Sequence, residues 1–338
     1  MRRITVAAVF LNALGLAAAW LSLPYSRPSS QPAHITSDYP PLPHQNIICP
    51  PYRIYSDDSP ETIAHLARVL RAIQTEFLAV FGANSPPSEP APQVDVYWFA
   101  NQHDFQVYVS RIAPHLCHSA GFFWHDRNRL VLLNQQGTER YRQFLGLHSL
   151  PAAHPDNCAH ATGFAASWQH AVTSAAREAN DRLIRHEAAH QLFQQYGWLS
   201  PTGAEPTWLT EGLAQFCEPT PIGSWHPTLA ARLRHFRDTG LLIPLPEFLE
   251  CRDPTGFFNR DLLHTEIAYA QSWALVWWLM QPPHRESFLR FLKSGGLFEP
   301  QYEQHQPTTT GMLQMLAAAL HLTDSALLSA WHDWLNQL

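Results

Sequence analysis

The feature that most constrains this chain is a pair of histidines, His186 and His190, in the segment HEAAH. Residues four positions apart lie on the same face of an α-helix, and the residues at 181–192 have a helical pattern. Both imidazoles can therefore reach one metal ion. Glu187 is rotated by about 100° from His186, so its carboxylate can reach a water molecule on that ion but not the ion itself.

A second segment, PTWLTEGLAQFCE at 206–218, adds a carboxylate in a predicted short helix over 208–217. We predict that Thr207 caps this helix and that Glu211 completes the metal site. Two histidines and one glutamate leave a tetrahedral zinc ion with one open position for water, which a catalytic site requires. The two segments together therefore indicate one catalytic Zn2+ ion.

These segments resemble the gluzincins, the zinc metallopeptidase group of thermolysin and the membrane aminopeptidases. There, a helix with HExxH is followed by a helix that carries the third ligand in a W-L-x-E-G setting. Residues 94–280 are more closely similar to a bacterial, exported, gluzincin-like family of unknown function. Its pattern joins a Gly-Phe-aromatic strand, here 121–123, to HExxHQL, WLxEGLAxxxE and a later Tyr-x-Gln-x-Trp helix, here 269–273.

The resemblance implies an α+β, zincin-like fold and zinc-dependent hydrolysis of peptide bonds. It implies that His186, His190 and Glu211 are the zinc ligands, and that Glu187 is the general base for a metal-activated water. The implied substrates are peptides or proteins. We expect endoproteolytic cleavage, because the GAMEN sequence with which membrane aminopeptidases bind an amino terminus is missing. The alternative is a zincin-like binding or scaffold protein without activity.

Three further positions near these motifs bear on the site. Thermolysin-like enzymes have an aspartate four residues after the ligand glutamate, which orients the first histidine, whereas this chain has Gln215 there. Glu218 is a candidate substitute, and an ordinary carboxylate on the helix surface is the alternative. Tyr269 is a candidate for stabilising the oxyanion, as a tyrosine does in many gluzincins, but it also fits a buried stripe with Trp273 and Trp277.

Composition excludes several other functions. Charged residues are 15% of the chain and the net charge is -6, so no basic field is present to bind nucleic acid. Hydrophobic residues are 46%, which excludes a disordered protein. Because the chain has 20 histidines, some clustering is expected by chance. A second metal site or a metal-buffering role is the alternative interpretation of His115, His118, His154, His160 and His170.

Residues 1–25 are predicted to be a signal peptide or signal anchor, because Arg2 and Arg3 precede an uncharged apolar run at 4–23. About twenty residues of helix can span a bilayer. A membrane tether through 4–23 and cleavage after the small residues 17–19 therefore both stay open. Either outcome places the bulk of the chain in the periplasm or the extracellular space. A buried N-terminal helix is the remaining alternative.

We predict a Pro-rich linker at 26–46 and one gluzincin-like domain at 47–338. Its expected parts are a mixed-sheet α/β part, a loop insertion, the zinc-site helices and a helical part, at 47–135, 136–166, 167–220 and 221–338. Further strands are predicted at 94–100, 121–125 and 129–133, and further helices at 60–81, 104–112, 168–196, 227–237, 268–280, 286–293, 311–320 and 324–337. The zinc should lie in the cleft between the sheet and the helical part.

The five cysteines have no CxxC spacing, so neither a cysteine zinc site nor a thioredoxin motif is predicted. Outside the cytoplasm they can form two disulfides. Cys117–Cys158 and Cys217–Cys251 are the candidate pairs, but the sequence alone does not fix the pairing. No sequence pattern indicates an oligomeric state.

Overall fold

The structure is a computed structural model, which describes residues 45–83, 93–116, 119–146, 158–200, 205–251, 256–258, 260–293 and 311–338. The predicted signal segment and all of the predicted linker before residue 45 lie outside these ranges. Among the described helices, none combines the length and the apolar character needed to cross a membrane.

A five-stranded sheet forms the first part of the fold, with the strand order β1-β2-β3-β5-β4. β2, β3 and β5 are parallel, and β1 and β4 are antiparallel edge strands. The predicted α+β class with a mixed sheet is therefore confirmed. The strands are β1 (Gln45–Cys49), β2 (Tyr52–Ser56), β3 (Val94–Phe99), β4 (Gly121–Trp124) and β5 (Arg129–Leu133).

Helices make up most of the rest of the described chain. Two helices come between strands in the chain order, namely α1 (Pro60–Val80) and α2 (Gln102–Ile112). After the last strand of the sequence come α3 (Glu139–Gly146), α4 (Cys158–Gln195) and α5 (Thr207–Cys217). The later helices are α6 (Pro227–Asp238), α7 (Leu245–Leu249), α8 (Leu262–Leu279), α9 (Arg285–Lys293), α10 (Met312–Ala319) and α11 (Asp324–Gln337).

Local sequence signals account for the bounds of α1. The Ser59 hydroxyl accepts a hydrogen bond from the backbone N–H of Thr62, and Pro60 occupies the first turn, where its missing N–H does no harm. Gly82 follows the helix with a φ of 69°, a left-handed conformation that glycine adopts without strain. The predicted helix over 60–81 is confirmed.

Helices pack on both faces of the sheet. Tyr108 of α2 contacts Tyr97 on one face, with the ring centroids 5.6 Å apart. On the other face, the hydroxyl of Tyr52 donates a hydrogen bond to the side-chain oxygen of Gln191 in α4 at 3.4 Å. α4 also packs against α5, which in turn packs along α8. The long helix α4 therefore connects the sheet to the helical part, where the site was predicted.

The contact between α5 and α8 depends on Gly212. A Cβ atom at this position would lie 2.5 Å from the backbone oxygen of Ser272 and 2.7 Å from Cγ2 of Val276. Because both helices would have to move apart, we expect Gly212→Ala to lower the free energy of unfolding by about 1–3 kcal/mol. Urea unfolding measures this difference, and an unchanged midpoint would contradict the expected close approach of the helices.

The predicted loop insertion at 136–166 is wrong in part. Residues 139–146 form α3, and α4 begins at Cys158 instead of residue 168. Two side-chain contacts attach α3 to α4. The Trp168 indole donates to the backbone oxygen of Phe144 at 2.7 Å, and the hydroxyls of Tyr141 and Thr173 are 3.1 Å apart. Such tertiary contacts leave no periodic signal in a short polar segment.

Thr207 is not the cap of α5. Pro206 occupies the N-cap position, Thr207 is the first helical residue, and no side chain caps the first turn. Pro206 has an extended backbone, with φ at -60° and ψ at 140°. The helix therefore begins at the next residue without a side-chain capping hydrogen bond.

The predicted disulfide Cys217–Cys251 is also wrong, because Cys217 is a buried free thiol whose pKa is raised by burial. The indole of Trp208, near the start of α5, donates to the backbone oxygen of Leu249, two residues before Cys251. Cys217 lies at the other end of α5, about 13 Å further along the helix. The predicted pair Cys117–Cys158 lies outside the described side chains.

Candidate metal centre

The structure brings together three of the predicted site residues. His186 and His190 are on adjacent turns of α4, and Glu211 reaches them from the middle of α5. The two Nε2 atoms are 3.2 Å apart. His186 Nε2 is 3.2 Å from Glu211 Oε2, and His190 Nε2 is 3.7 Å from Glu211 Oε1. One nitrogen or oxygen atom from each of the three side chains therefore lies within 4.8 Å of the other two.

The spacing of these atoms fits a tetrahedral zinc ion. Zinc binds imidazole nitrogens and carboxylate oxygens at roughly 2.0–2.2 Å, so neighbouring ligand atoms of a tetrahedron are about 3.3–3.6 Å apart. The two Nε2 atoms are 3.2 Å apart, and the Glu211 carboxylate lies 3.2 Å from Nε2 of His186 through Oε2 and 3.7 Å from Nε2 of His190 through Oε1. Two imidazoles with one carboxylate are also a ligand set that zinc commonly has in hydrolytic sites. The three side chains thus fit three of the four positions around zinc.

Glu218 lies directly behind the first histidine. Its Oε1 is 2.8 Å from His186 Nδ1, and its Oε2 is 3.2 Å from His226 Nε2. A carboxylate at this distance requires a proton on Nδ1, so Nε2 is the ring nitrogen of His186 that could bind a metal after losing any proton of its own. The side chain is only 14% exposed. Glu218 therefore contacts His186, the first candidate ligand, and does not project from the helix surface. Gln215 does not make this contact.

Arg185, next to His186, fixes the backbone that carries Glu218. Its guanidinium donates to the carbonyl oxygens of Cys217, Glu218 and Pro219 at 2.7–3.0 Å. It also forms two hydrogen bonds with the carboxylate of Glu76 in α1, at 3.2 and 2.8 Å. Because Arg185 is only 3% exposed, these bonds are strongly directional and hard to replace with water. No sequence motif predicted a role for Arg185, Glu76 or His226 in the site.

Glu187 and Tyr269 are both buried. Glu187 is 2% exposed, and its negative charge acts on the neighbouring His186. Tyr269 lies in α8, the helix that packs along α5, and its ring contacts Phe258 edge-to-face at 5.4 Å. This contact fits the buried stripe that was the second interpretation of Tyr269. Its role in a reaction stays a prediction.

The edge strand β4 closely approaches α4, the helix that carries HEAAH. A Cβ atom on Gly121 would lie 3.1 Å from Cδ1 of Leu183 and 2.9 Å from Cδ2 of Leu132. Leu183 is four residues before Glu187, so the two side chains share one face of α4. The glycine in the Gly-Phe-aromatic strand therefore allows β4 to start beside the face that carries Glu187.

The two carboxylates change the ionisation of His186 when no metal is bound. Burial of the ring favours the neutral form, but hydrogen bonds with Glu211 and Glu218 outweigh it and raise the pKa of His186 to about 10. Burial also disfavours the Glu218 carboxylate, yet hydrogen bonds from His186 and His226 lower the pKa of Glu218 to about 2. At neutral pH, His186 therefore carries a proton on each ring nitrogen.

We expect zinc binding to displace one of these protons, from Nε2 of His186. Since this proton stays bound up to about pH 10 in the metal-free protein, the apparent zinc affinity should rise about tenfold per pH unit between pH 7 and 9. Calorimetric titration in buffers of different ionisation enthalpy measures the released proton. An affinity that does not change over this pH range would contradict the expected protonation of His186.

The described residues contain one group of three side chains suited to a metal, namely His186, His190 and Glu211. His170 is exposed on α4 and is not part of such a group. The predictions for His118 and His154 lie outside the described residues, as do the side chains of His115 and His160. A second metal site therefore stays an untested alternative for those positions.

Comparison with known proteins finds a match over part of the chain, to a family with no known activity. Residues 182–300 match the family described as "Protein of unknown function (DUF1570)". The matched range includes the three side chains of the metal group together with Glu187 and Glu218. No curated protein matches the chain. An activity for the site must therefore be inferred from its geometry.

Proposed function

We propose that the chain is a zinc-dependent peptidase of the gluzincin type. The observation that carries the proposal is the close grouping of His186, His190 and Glu211 beside the buried carboxylate of Glu187. A helix with two ligands and a catalytic glutamate, followed by a helix with a third carboxylate ligand, is the arrangement that the resemblance to gluzincins implies. The ligand set leaves one position for water, as hydrolysis requires.

In this proposal the residues of the chain have separate roles. A bound zinc ion supplies Lewis-acid activation of water and of the scissile carbonyl. Glu187 accepts the proton of the attacking water and later donates it to the leaving amine. The Glu187 side chain is only 2% exposed, so it is packed within the protein beside His186. Tyr269 is the proposed hydrogen-bond donor to the oxyanion.

The proposed substrate is an extended peptide segment, bound along β4. β4 is an edge strand of the sheet, and its outer edge pairs with no other strand among the described residues. The unpaired edge of a strand can offer backbone N–H and C=O groups to an added strand, which binds peptides largely independently of their sequence. Since β4 begins beside the face of α4 that carries Glu187, a peptide added there would pass the metal centre. This supports internal cleavage of a peptide chain.

We also propose that the peptidase acts outside the cytoplasm, either released or tethered through residues 4–23. Support comes from the sequence alone, where Arg2 and Arg3 precede the apolar run. The competing function is a zincin-like scaffold that binds zinc but has no turnover. Both proposals require zinc, and only the peptidase requires Glu187 to take part in a reaction.

The test uses the purified full chain and a fluorogenic peptide library of mixed sequence. The peptidase should contain one zinc ion per chain, cleave library members, lose activity with a zinc chelator and regain it with added zinc. Glu187→Gln should contain the same zinc without cleaving. Stoichiometric zinc with no cleavage in either protein would favour the scaffold, and no stoichiometric metal would exclude both.

A further inference from the structure

His226 makes two hydrogen bonds that connect α6 to the metal centre. It occupies the N-cap position of α6, where its Nδ1 accepts the backbone N–H of Leu229 at 3.3 Å. Its Nε2 is 3.2 Å from Oε2 of Glu218. The ring is 5% exposed and lies edge-on to the buried Trp273, with the ring centroids 6.1 Å apart. One imidazole therefore serves as a helix cap and as a contact to the carboxylate behind His186.

These contacts determine which nitrogen of His226 carries a proton. A backbone N–H can only donate, so Nδ1 must be the unprotonated acceptor of the Leu229 bond. In the neutral ring the proton then lies on Nε2, which must donate to Glu218. Glu218 accepts from His226 with one oxygen and from His186 with the other. The capping bond thus determines which atoms donate and which accept in the hydrogen-bonded series from His226 through Glu218 to His186.

The backbone around Glu218 is held from the opposite side. Arg185 donates to the carbonyl oxygens of residues 217–219, and Glu76 accepts the backbone N–H of Ile222 at 2.9 Å. These bonds fix the main chain, but a glutamate side chain still has rotatable bonds of its own. The His226 donor is the contact that fixes the second carboxylate oxygen. Without it, the carboxylate can turn away from His186.

We propose that His226 is a positioning residue for the metal centre, which acts through Glu218 to hold His186 in the orientation that a zinc ion needs. This inference rests on the proposed zinc site, but it does not depend on catalysis. Partners in the shell around a metal ligand commonly change metal affinity by about 10–100-fold when they are removed. Because His226 acts one residue further out, we expect an effect near the lower end of that range.

Two substitutions separate the capping role of His226 from its positioning role. In His226→Asn, the side-chain oxygen can replace Nδ1 as a cap, since asparagine is among the best N-cap residues, but the donor to Glu218 is lost. In His226→Gln, the longer side chain can place an amide N–H near the position of Nε2, while the close capping oxygen is lost. The two variants are therefore matched controls for each other.

We expect His226→Asn to unfold at nearly the wild-type denaturant concentration and to bind zinc about tenfold more weakly. We expect His226→Gln to unfold at a lower denaturant concentration than wild type, because the cap of α6 is lost, and to keep a zinc affinity within about threefold of wild type. Zinc affinity is measured in the full chain by competition with a chromophoric chelator. The visible spectrum of bound Co2+ serves as a second readout, because it reports ligand geometry without any substrate.

The outcomes are distinguishable from failure of the proposed function. Unchanged zinc affinity and Co2+ spectrum in a folded His226→Asn protein would overturn the positioning role and leave the zinc site intact. A wild-type chain that binds no stoichiometric zinc would overturn both inferences. Weaker zinc binding in His226→Asn but not in His226→Gln supports positioning, even in a protein that cleaves no peptide.

Discussion

Glu187→Gln is expected to lower peptide cleavage by about 10²–10⁴-fold while the zinc content stays at one ion per chain. The amide has nearly the shape of the carboxylate but cannot accept a proton from the attacking water. The three candidate ligand side chains are unchanged, and their closest nitrogen and oxygen atoms lie 3.2–3.7 Å apart without any contribution from Glu187. Elemental analysis and single-peptide kinetics on the same preparation measure both quantities.

The matched control is Glu178→Gln, which changes an exposed glutamate of the same helix. Glu178 is 69% exposed and pairs only with Arg182 within the described contacts, so its loss should alter neither zinc content nor cleavage. Cleavage that persists at the wild-type rate in Glu187→Gln would assign the proton transfer to another group or the activity to a contaminating peptidase. Loss of zinc in this variant would mean that Glu187 has a structural role in the site.

The parts of the site that the sequence predicted are those whose geometry is set by a single helix. His186, Glu187 and His190 lie within five residues, so a helical repeat determines their relative directions once the segment is helical. The same is true of α1, where Ser59 and Gly82 mark both ends through interactions within one turn. Such local patterns depend little on the remainder of the fold.

The residues around Glu218 could not be predicted in this way. Arg185 contacts Glu76, which is 109 positions away, and the carbonyls at the end of α5, which are 32–34 positions away. No spacing rule connects these positions, because they meet only after α1, α4 and α5 have packed together. The position of α3 was missed for the same reason, since its contacts to Trp168 and Thr173 are tertiary.

The two contacts of His226 could not be predicted from the sequence either. Its place before Pro227 favours a helix start, and histidine is not among the preferred capping residues. The structure gives it the capping position and a carboxylate partner as well. The order of the strands was equally inaccessible, because the parallel pairing of β2, β3 and β5 depends on where the intervening helices cross the sheet.

His190→Ala is expected to weaken zinc binding by more than the roughly 100-fold that removal of an outer partner costs, because it removes one of three ligand side chains. His190 is 3% exposed, so water cannot easily take the place of its imidazole. In wild type, zinc at about 1,000 times its Kd should stabilise the folded chain by about 4 kcal/mol, and this zinc-dependent rise in Tm should disappear in the variant.

The control for this variant is His170→Ala, which removes an exposed histidine from the same helix and should keep both the zinc and the rise in Tm. Equal loss of zinc in both variants would indicate weak binding by the many histidines of the chain, as a metal-buffering protein requires. Loss in His190→Ala alone, together with retained zinc in Glu187→Gln, would assign the metal to the HEAAH helix and leave Glu187 to the reaction. Retained stoichiometric zinc in His190→Ala would overturn the ligand set on which the proposed function rests.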